Sequence, residues 1–136
     1  MKKRGFTLIE VLVVITIIGI LIAFLAPRLL NFQDRGKEVA VKAVMHSLQL
    51  SIESYNMENE TYPVAKNTGV KSLCENYLMV GNYIASVPVN PFTGKEYTDA
   101  DAPGKIIYNY DDATGKYTLV GYKRDGASKL LELSNM

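Results

Sequence analysis

The sequence predicts an α+β fold in which one long N-terminal helix packs on a small antiparallel β-sheet. Three observations lead to this prediction. Residues 6–26 form an almost uninterrupted apolar run, residues 34–57 continue with the spacing of an amphipathic helix, and residues 105–133 contain short β-branched and aromatic segments separated by turns. Because a chain of 136 residues has room for one compact domain, we expect the second part of the helix and the sheet to share one core.

The composition is that of a folded protein with little net charge. The chain has 15 basic and 14 acidic side chains, a formal charge of +1, and 48% hydrophobic residues. These values exclude intrinsic disorder, and a nucleic-acid partner is not expected because such binders carry a larger basic excess. Cys74 is the only cysteine and His46 the only histidine, which excludes an intrachain disulfide and a multi-cysteine zinc site.

The apolar run predicts a membrane-spanning helix over residues 6–27. As an α-helix, the 21 residues from Phe6 to Ala26 would be about 30 Å long, which matches the hydrocarbon core of a bilayer. The basic residues that precede the run place the N-terminus in the cytoplasm by the positive-inside rule, and the rest of the chain across the membrane. A secretory signal peptide cleaved near Ala26 is the alternative, although the run continues without a polar break.

Glu10 is the only ionisable side chain within the apolar run. A carboxylate inside a membrane costs about 2.5–3.5 kcal/mol on insertion scales, so its presence requires an explanation. The side chain could reach the nearby interface, be protonated, or interact with the positive end of the helix dipole. If the chain were cleaved between Gly5 and Phe6, the new amine of Phe6 could also pair with Glu10 of the same or a neighbouring chain.

The residues from Gly5 to Glu10 resemble a known signal. GFTLIE followed by VLVVI is similar to the class III signal of bacterial type IV pilins and type II secretion pseudopilins, with a basic leader, a Gly–Phe junction and a glutamate four residues after the phenylalanine. The resemblance implies that a prepilin peptidase removes residues 1–5 by cleaving after Gly5 and methylates the amine of Phe6. It also implies a pilin-like fold, and pairing of Glu10 with a neighbouring subunit's N-terminus during filament assembly.

The helical pattern continues beyond the apolar run and becomes amphipathic over residues 28–60. Gly19 is a poor helix former and Pro27 removes a backbone hydrogen bond, so the helix is predicted to break or weaken there; the resemblance implies bending and local unwinding in a filament. An apolar stripe follows, which we expect to lie against the sheet. The helix is predicted to end between Met57 and Glu60. The apolar stripe consists of Val41, Met45, Leu48, Ile52 and Tyr55, and a polar stripe one residue further on consists of Lys42, His46, Gln49, Glu53 and Asn56.

Residues 61–136 are predicted to form a loop region followed by a C-terminal antiparallel sheet. Four prolines fall between residues 62 and 104, where only a short helix near residues 72–79 is predicted, with Cys74 on its inner side. Three segments rich in β-branched and aromatic residues follow and predict strands joined by turns. These segments are KIIYNY at 105–110, KYTLVGYK at 116–123 and KLLEL at 129–133.

The resemblance also raises the question of calcium. Major pseudopilins usually bind calcium in an aspartate-rich C-terminal loop, which corresponds to residues 121–126 here. Lys123 and Arg124 occupy positions where a cation site would prefer oxygen donors. Other aspartates could supply ligands, but polar turn residues explain them equally well. They are Asp99, Asp101, Asp111 and Asp112. The sequence therefore predicts no metal and no cofactor, with calcium as the alternative.

The motifs of the sequence do not predict an enzyme. Its four Gly-Lys pairs lack the flanking residues of a phosphate-binding loop, and no hydrolase or zinc-protease motif is present. The resemblance implies a structural subunit of a type IV pilus or pilus-like filament, assembled by packing of N-terminal helices after leader cleavage. One alternative is a pseudopilin of a type II secretion or DNA-uptake system. Another is a membrane-anchored binding or adhesin module whose tyrosines hold a ligand.

The expected partners follow from the same resemblance. They are other copies of the chain, the membrane, the prepilin peptidase, minor pilins, and an inner-membrane assembly platform with its ATPase. Before assembly we expect a single-pass protein of the inner or cytoplasmic membrane with its N-terminus in the cytoplasm. After assembly we expect an extracellular or periplasmic filament.

Overall fold

The computed structural model describes residues 2–135. These residues form two compact units that divide after Arg35. The first element, α1 (Leu8–Asn59), contributes residues to both units, and its last residue lies within the predicted range of residues 57–60.

The N-terminal unit contains the first part of α1. Helical structure is assigned through both Gly19 and Pro27. A proline inside a helix costs about 3 kcal/mol, and the turns around Pro27 accommodate it without ending the helix. The unwinding predicted at these two positions concerns the assembled filament, and it stays a prediction.

The second unit, called the head below, comprises the described residues from Gly36 onwards. Its core lies between α1 and an antiparallel sheet, which confirms the predicted α+β class. The first four residues of the predicted apolar stripe are fully buried, and Tyr55 is half-buried. The largest fully buried side chains are Met45, Leu48, Ile52, Leu73, Leu78, Tyr97, Ile106, Tyr108, Tyr117 and Leu119.

The sheet has four strands in sequential order, and every neighbouring pair is antiparallel. The strands are β1 (Thr68–Gly69), β2 (Ile106–Asp111), β3 (Lys116–Tyr122) and β4 (Lys129–Ser134). The last three match the predicted strands to within one residue at each end. The prediction of three strands was wrong in number, because the two residues of β1 are too few to show an alternating pattern. Thr68 pairs with Tyr108 and Gly69 with Ile107.

The helix and the sheet approach each other closely at Gly121 of β3. A Cβ atom at this position would collide with the sulfur of Met45. The neighbouring inward residues of β3, Tyr117 and Leu119, are fully buried against the same core. The absence of a side chain at Gly121 therefore leaves room for the side chain of Met45 between α1 and the sheet.

Two short helical segments connect β1 to the long loop region. They are α2 (Val70–Leu73) and a π-helical turn (Cys74–Leu78), and they occupy the place of the predicted short helix. Cys74 is fully buried, as predicted. Burial raises the pKa of its thiol to about 12, so the side chain stays neutral and packs as a small apolar group.

Candidate functional site

A reciprocal hydrogen-bonded cap stands at the start of α1. The backbone N–H of Thr7 donates to Glu10 Oε2 at 2.8 Å, and the Thr7 hydroxyl donates to the same oxygen at 3.0 Å. The backbone N–H of Glu10 donates to Thr7 Oγ1 at 3.3 Å. This arrangement is a capping box, and it satisfies N–H groups that the first turn leaves without helical partners. Sequence analysis identified Glu10 but missed Thr7, although the Thr-x-x-Glu spacing is the signature of such a cap.

The predicted processing junction lies outside the helix. Gly5 and Phe6 precede Leu8, both are exposed, and a Cβ atom on Gly5 would meet no atom within 4 Å. Phe6 and Glu10 lie on the same exposed surface as Ile9, Val13 and Val14. The structure thus places the junction in an accessible segment.

The apolar surface of the N-terminal unit is uncovered. Every large apolar side chain from Phe6 to Phe32 is exposed. By length and composition, α1 contains a segment able to cross a membrane, and none of that segment is buried within the chain. Full burial of one such side chain is worth about 1.5–3 kcal/mol, so this surface requires a lipid or protein environment.

Comparison with known proteins agrees with this geometry. The pattern described as the prokaryotic N-terminal methylation motif matches residues 1–26. Type II secretion system core protein G of Escherichia coli strain K12 is 36% identical over 106 residues, which are 71% of this chain and 70% of that protein. The chain belongs to the type IV pilin and pseudopilin family. The core protein G of Dickeya chrysanthemi is 30% identical to this chain over 135 residues. These residues are 92% of this chain and 80% of that protein.

A second kind of relative matches a shorter part of this pilin-family chain. The type IV major pilin protein PilA of Myxococcus xanthus is 39% identical over 61 residues, which are 45% of the chain and 28% of that protein. No solved structure matches the chain.

The aspartates considered as calcium ligands have protein partners in the described part of the head. Asp101 accepts hydrogen bonds from Thr98 and from the buried side chain of Asn90. Burial would raise the pKa of Asp101, but these hydrogen bonds outweigh it and lower that pKa. Hydrogen bonds from the Ser128 hydroxyl and nearby backbone N–H groups lower the pKa of Asp125 to about 2. The other candidates also have protein partners, which are Ser72 for Asp99, Thr114 for Asp111 and Lys66 for Asp112. Within residues 2–135, no three metal-binding side chains come together.

Glu53 forms a contact that sequence analysis missed. Its two carboxylate oxygens accept hydrogen bonds from the hydroxyls of Tyr62 and Tyr117, both at 2.9 Å. Burial and the hydrogen bond to Glu53 raise the pKa of Tyr62 to about 12. Glu53 was predicted only as a member of the polar stripe, and its contact with the two tyrosines was not predicted. His46 of the same stripe is exposed. This network joins the helix to the sheet and has a structural role.

Proposed function

We propose that the chain is a structural subunit of a pilus-like filament, in which the apolar N-terminal helices of many copies pack against one another. The observation that carries the proposal is the contrast in burial. The head encloses its own core, while every large apolar side chain from Phe6 to Phe32 is exposed. A helix of this kind first needs lipid, and after leaving the membrane it needs other helices of the same kind.

A type II secretion pseudopilus is the filament we favour. The relatives that share most of the chain are core proteins of that system, and the shared part, 71% and 92% of the chain, is too long to lie within the N-terminal unit alone. A type IV pilus is the second candidate, because the pilin PilA of Myxococcus xanthus is also similar to 61 residues of the chain. The role is structural and not catalytic in either case.

The cap at Glu10 supports a proposal for how processing prepares assembly. Cleavage after Gly5 would remove the basic leader and create a free amine at Phe6, which the peptidase then methylates. In the uncleaved chain the Glu10 carboxylate is occupied by the backbone N–H and hydroxyl of Thr7. The positive amine of a neighbouring copy is a stronger partner for a carboxylate in an apolar environment, so it would displace Thr7 from Glu10.

Charge and length support a single-pass topology before assembly. The basic residues ahead of Phe6 would stay in the cytoplasm and the head would lie across the membrane. Removal of Lys2, Lys3 and Arg4 leaves 12 basic and 14 acidic side chains, so neighbouring heads would repel one another only weakly. Because the sequence lacks a phosphate-binding loop, the energy for assembly would come from a separate ATPase acting through a membrane platform, with minor pilins as further partners.

The test is the intact mass and N-terminal sequence of the protein from cells that produce it. We expect a methylated Phe6 at the N-terminus. A processed protein that stays with the cell envelope would support the secretion pseudopilin, whereas one that dominates the material sheared from the cell surface would support the pilus subunit. A protein that retains residues 1–5, or that is cleaved near Ala26, would contradict the proposal.

A further inference from the structure

The turn between β3 and β4 is closed by the side chain of Asp125. Its Oδ1 accepts hydrogen bonds from the backbone N–H groups of Ala127 at 2.9 Å and Ser128 at 2.8 Å, and its Oδ2 accepts one from the Ser128 hydroxyl. The backbone N–H of Lys123 donates to the Ser128 carbonyl at 2.9 Å and closes the turn from its other end. We call residues 123–128 the Asp125 turn.

The Asp125 turn lies directly against the segment that precedes β2. The backbone N–H of Gly104 donates to the Lys123 carbonyl at 3.1 Å. Gly126 has a φ of +67°, and a Cβ atom on it would lie 2.6 Å from the Ala102 carbonyl oxygen. A left-handed backbone and so close a contact both favour glycine over any residue with a side chain. The turn therefore fixes the start of β4 against the segment before β2.

That segment is itself held by a buried amide. Asn90 is fully buried, and its side-chain N–H groups donate to Asp101 Oδ2 at 3.1 Å and to the Pro103 carbonyl at 2.9 Å. Its Oδ1 accepts a hydrogen bond from the backbone N–H of Phe92 at 3.0 Å. A buried amide without partners would be costly, and here both of its ends are satisfied. An N–H donor thus joins the oxygen atoms on which the turn's neighbouring segment depends.

The donor set of the Asp125 turn does not fit calcium. The resemblance implies a calcium site in residues 121–126, and calcium binds about six to eight oxygen atoms. The Asp125 carboxylate is instead surrounded by three hydrogen-bond donors, whose hydrogen atoms would repel a cation. The hydrogen bond from Ser128 Oγ and those from the backbone lower the pKa of Asp125 to about 2, and the positive charge of Lys123 acts in the same direction. A cation would have to displace these donors and approach Lys123.

We propose that the Asp125 turn takes the structural role that a bound calcium ion would have in this loop, so that the head keeps its stability without calcium. The turn sets the point at which the chain leaves β3 and begins β4. Leu131 and Leu133 of β4 pack against the core, so displacement of the turn would also disturb them. The inference goes beyond the proposed function and does not depend on it, because every residue that it uses lies in the head.

Unfolding of the unmodified full chain in detergent, with and without calcium, tests this inference. Calcium chloride at about 10 mM exceeds the Kd of extracellular calcium-binding modules by about tenfold or more. A bound ion at that concentration would lower the equilibrium constant of unfolding by about tenfold or more. Measured at one urea concentration within the transition, the constants in calcium and in a chelator should differ by less than about twofold. A larger decrease that calcium causes, and that the same concentration of magnesium does not, would overturn the inference.

Asp125→Ala tests the contribution of the carboxylate. The variant leaves three donors without their charged acceptor, so the equilibrium constant of unfolding should rise by about tenfold or more. Glu96→Ala is the matched control, because it removes the same charge from an exposed residue of the loop region, and it should change the constant by less than about twofold. Ser128→Ala removes only the hydroxyl and should have an intermediate effect. An Asp125→Ala variant as stable as Glu96→Ala would overturn the inference.

The two measurements together separate a hydrogen-bonded turn from a calcium ligand. For a hydrogen-bonded turn, the losses in Asp125→Ala and Ser128→Ala are equal in calcium and in chelator. For a calcium ligand, the variants would match the unmodified chain in chelator and be less stable only in calcium, which would overturn the inference. Ser128→Ala keeps the carboxylate and supplies the comparison if Asp125→Ala does not fold. Because the purified chain is measured, neither outcome bears on the proposed function.

Discussion

The N-terminal unit exposes its apolar residues, whereas the head buries most of its own. In the N-terminal unit the leucines, isoleucines and valines are all exposed, although α1 there is more apolar than any other element. In the head, residues of the same types from α1 and three strands form the core, together with buried tyrosines that donate their hydroxyls to backbone and carboxylate oxygens. The head thus satisfies its own packing requirements, whereas the N-terminal unit depends on molecules outside the chain.

This contrast explains how one chain can be accommodated both in a membrane and in a filament. Because the head encloses its own core, we expect it to keep the same structure in the membrane-anchored subunit and in the filament. The apolar helix contributes little to that fold, so it is free to exchange lipid for other copies of itself. Substitutions in the two units should therefore affect different measurements, assembly for the N-terminal unit and unfolding for the head.

Glu10→Gln should have the largest effect on assembly. Glutamine can still complete a capping box with Thr7, so the substitution removes the charge and keeps the cap. Loss of one partner from a buried ion pair costs about 3–5 kcal/mol, which predicts a drop in filament yield of about a hundredfold or more. Thr7→Val is the matched control, because it removes the hydroxyl of the cap and keeps the carboxylate. Normal assembly of Glu10→Gln, or equal loss in both variants, would show that the charge is not the essential feature.

Two leucine truncations compare the units directly. Leu48 is fully buried in the head, and Leu48→Ala should lower the unfolding free energy by about 2–5 kcal/mol. Leu21 is exposed in the N-terminal unit, and Leu21→Ala should change it by less than about 0.5 kcal/mol. Urea unfolding of the full chain in detergent, followed by tyrosine fluorescence, measures both changes. The fluorescence reports unfolding of the head, because all nine tyrosines lie there. Equal losses of stability would contradict the independence of the head.

Alkaline pH should have a smaller effect on the unfolding free energy, and this effect should also be confined to the head. The pKa of Tyr62 is raised from 10.0 to about 12, so the folded state favours the neutral phenol more than the unfolded state does. Its contribution to stability is complete below pH 10 and is lost as the pH rises towards 12. Tyr62→Phe should therefore reduce the slope of unfolding free energy against pH in this window. An unchanged slope would show that the pKa of Tyr62 is not raised in the folded head.

The sequence was most informative where one pattern decides the structure. The three- and four-residue spacing from Val41 to Ile52 predicted the buried face of α1, and aromatic and β-branched runs predicted three strands to within one residue at each end. The signal at Gly5, Phe6 and Glu10 predicted the family, because several unusual residues occur there at fixed spacing.

The features that were missed depend on contacts between distant parts of the chain. β1 has two residues and is defined by its pairing with Tyr108 and Ile107, which no local pattern shows. The contact of Glu53 was missed because its tyrosine partners lie 9 and 64 residues further along the chain. The cap at Thr7 is different, since its spacing is visible in the sequence and could have been recognised.

An electron cryo-microscopy map of the assembled filament tests the central claim most directly. We predict that the 6–26 segments of different copies contact one another, that each Glu10 carboxylate lies within ion-pair distance of a Phe6 amine, and that helical density weakens between Gly19 and Pro27. A filament held together by the heads alone, with the N-terminal segments absent or still in lipid, would contradict the account.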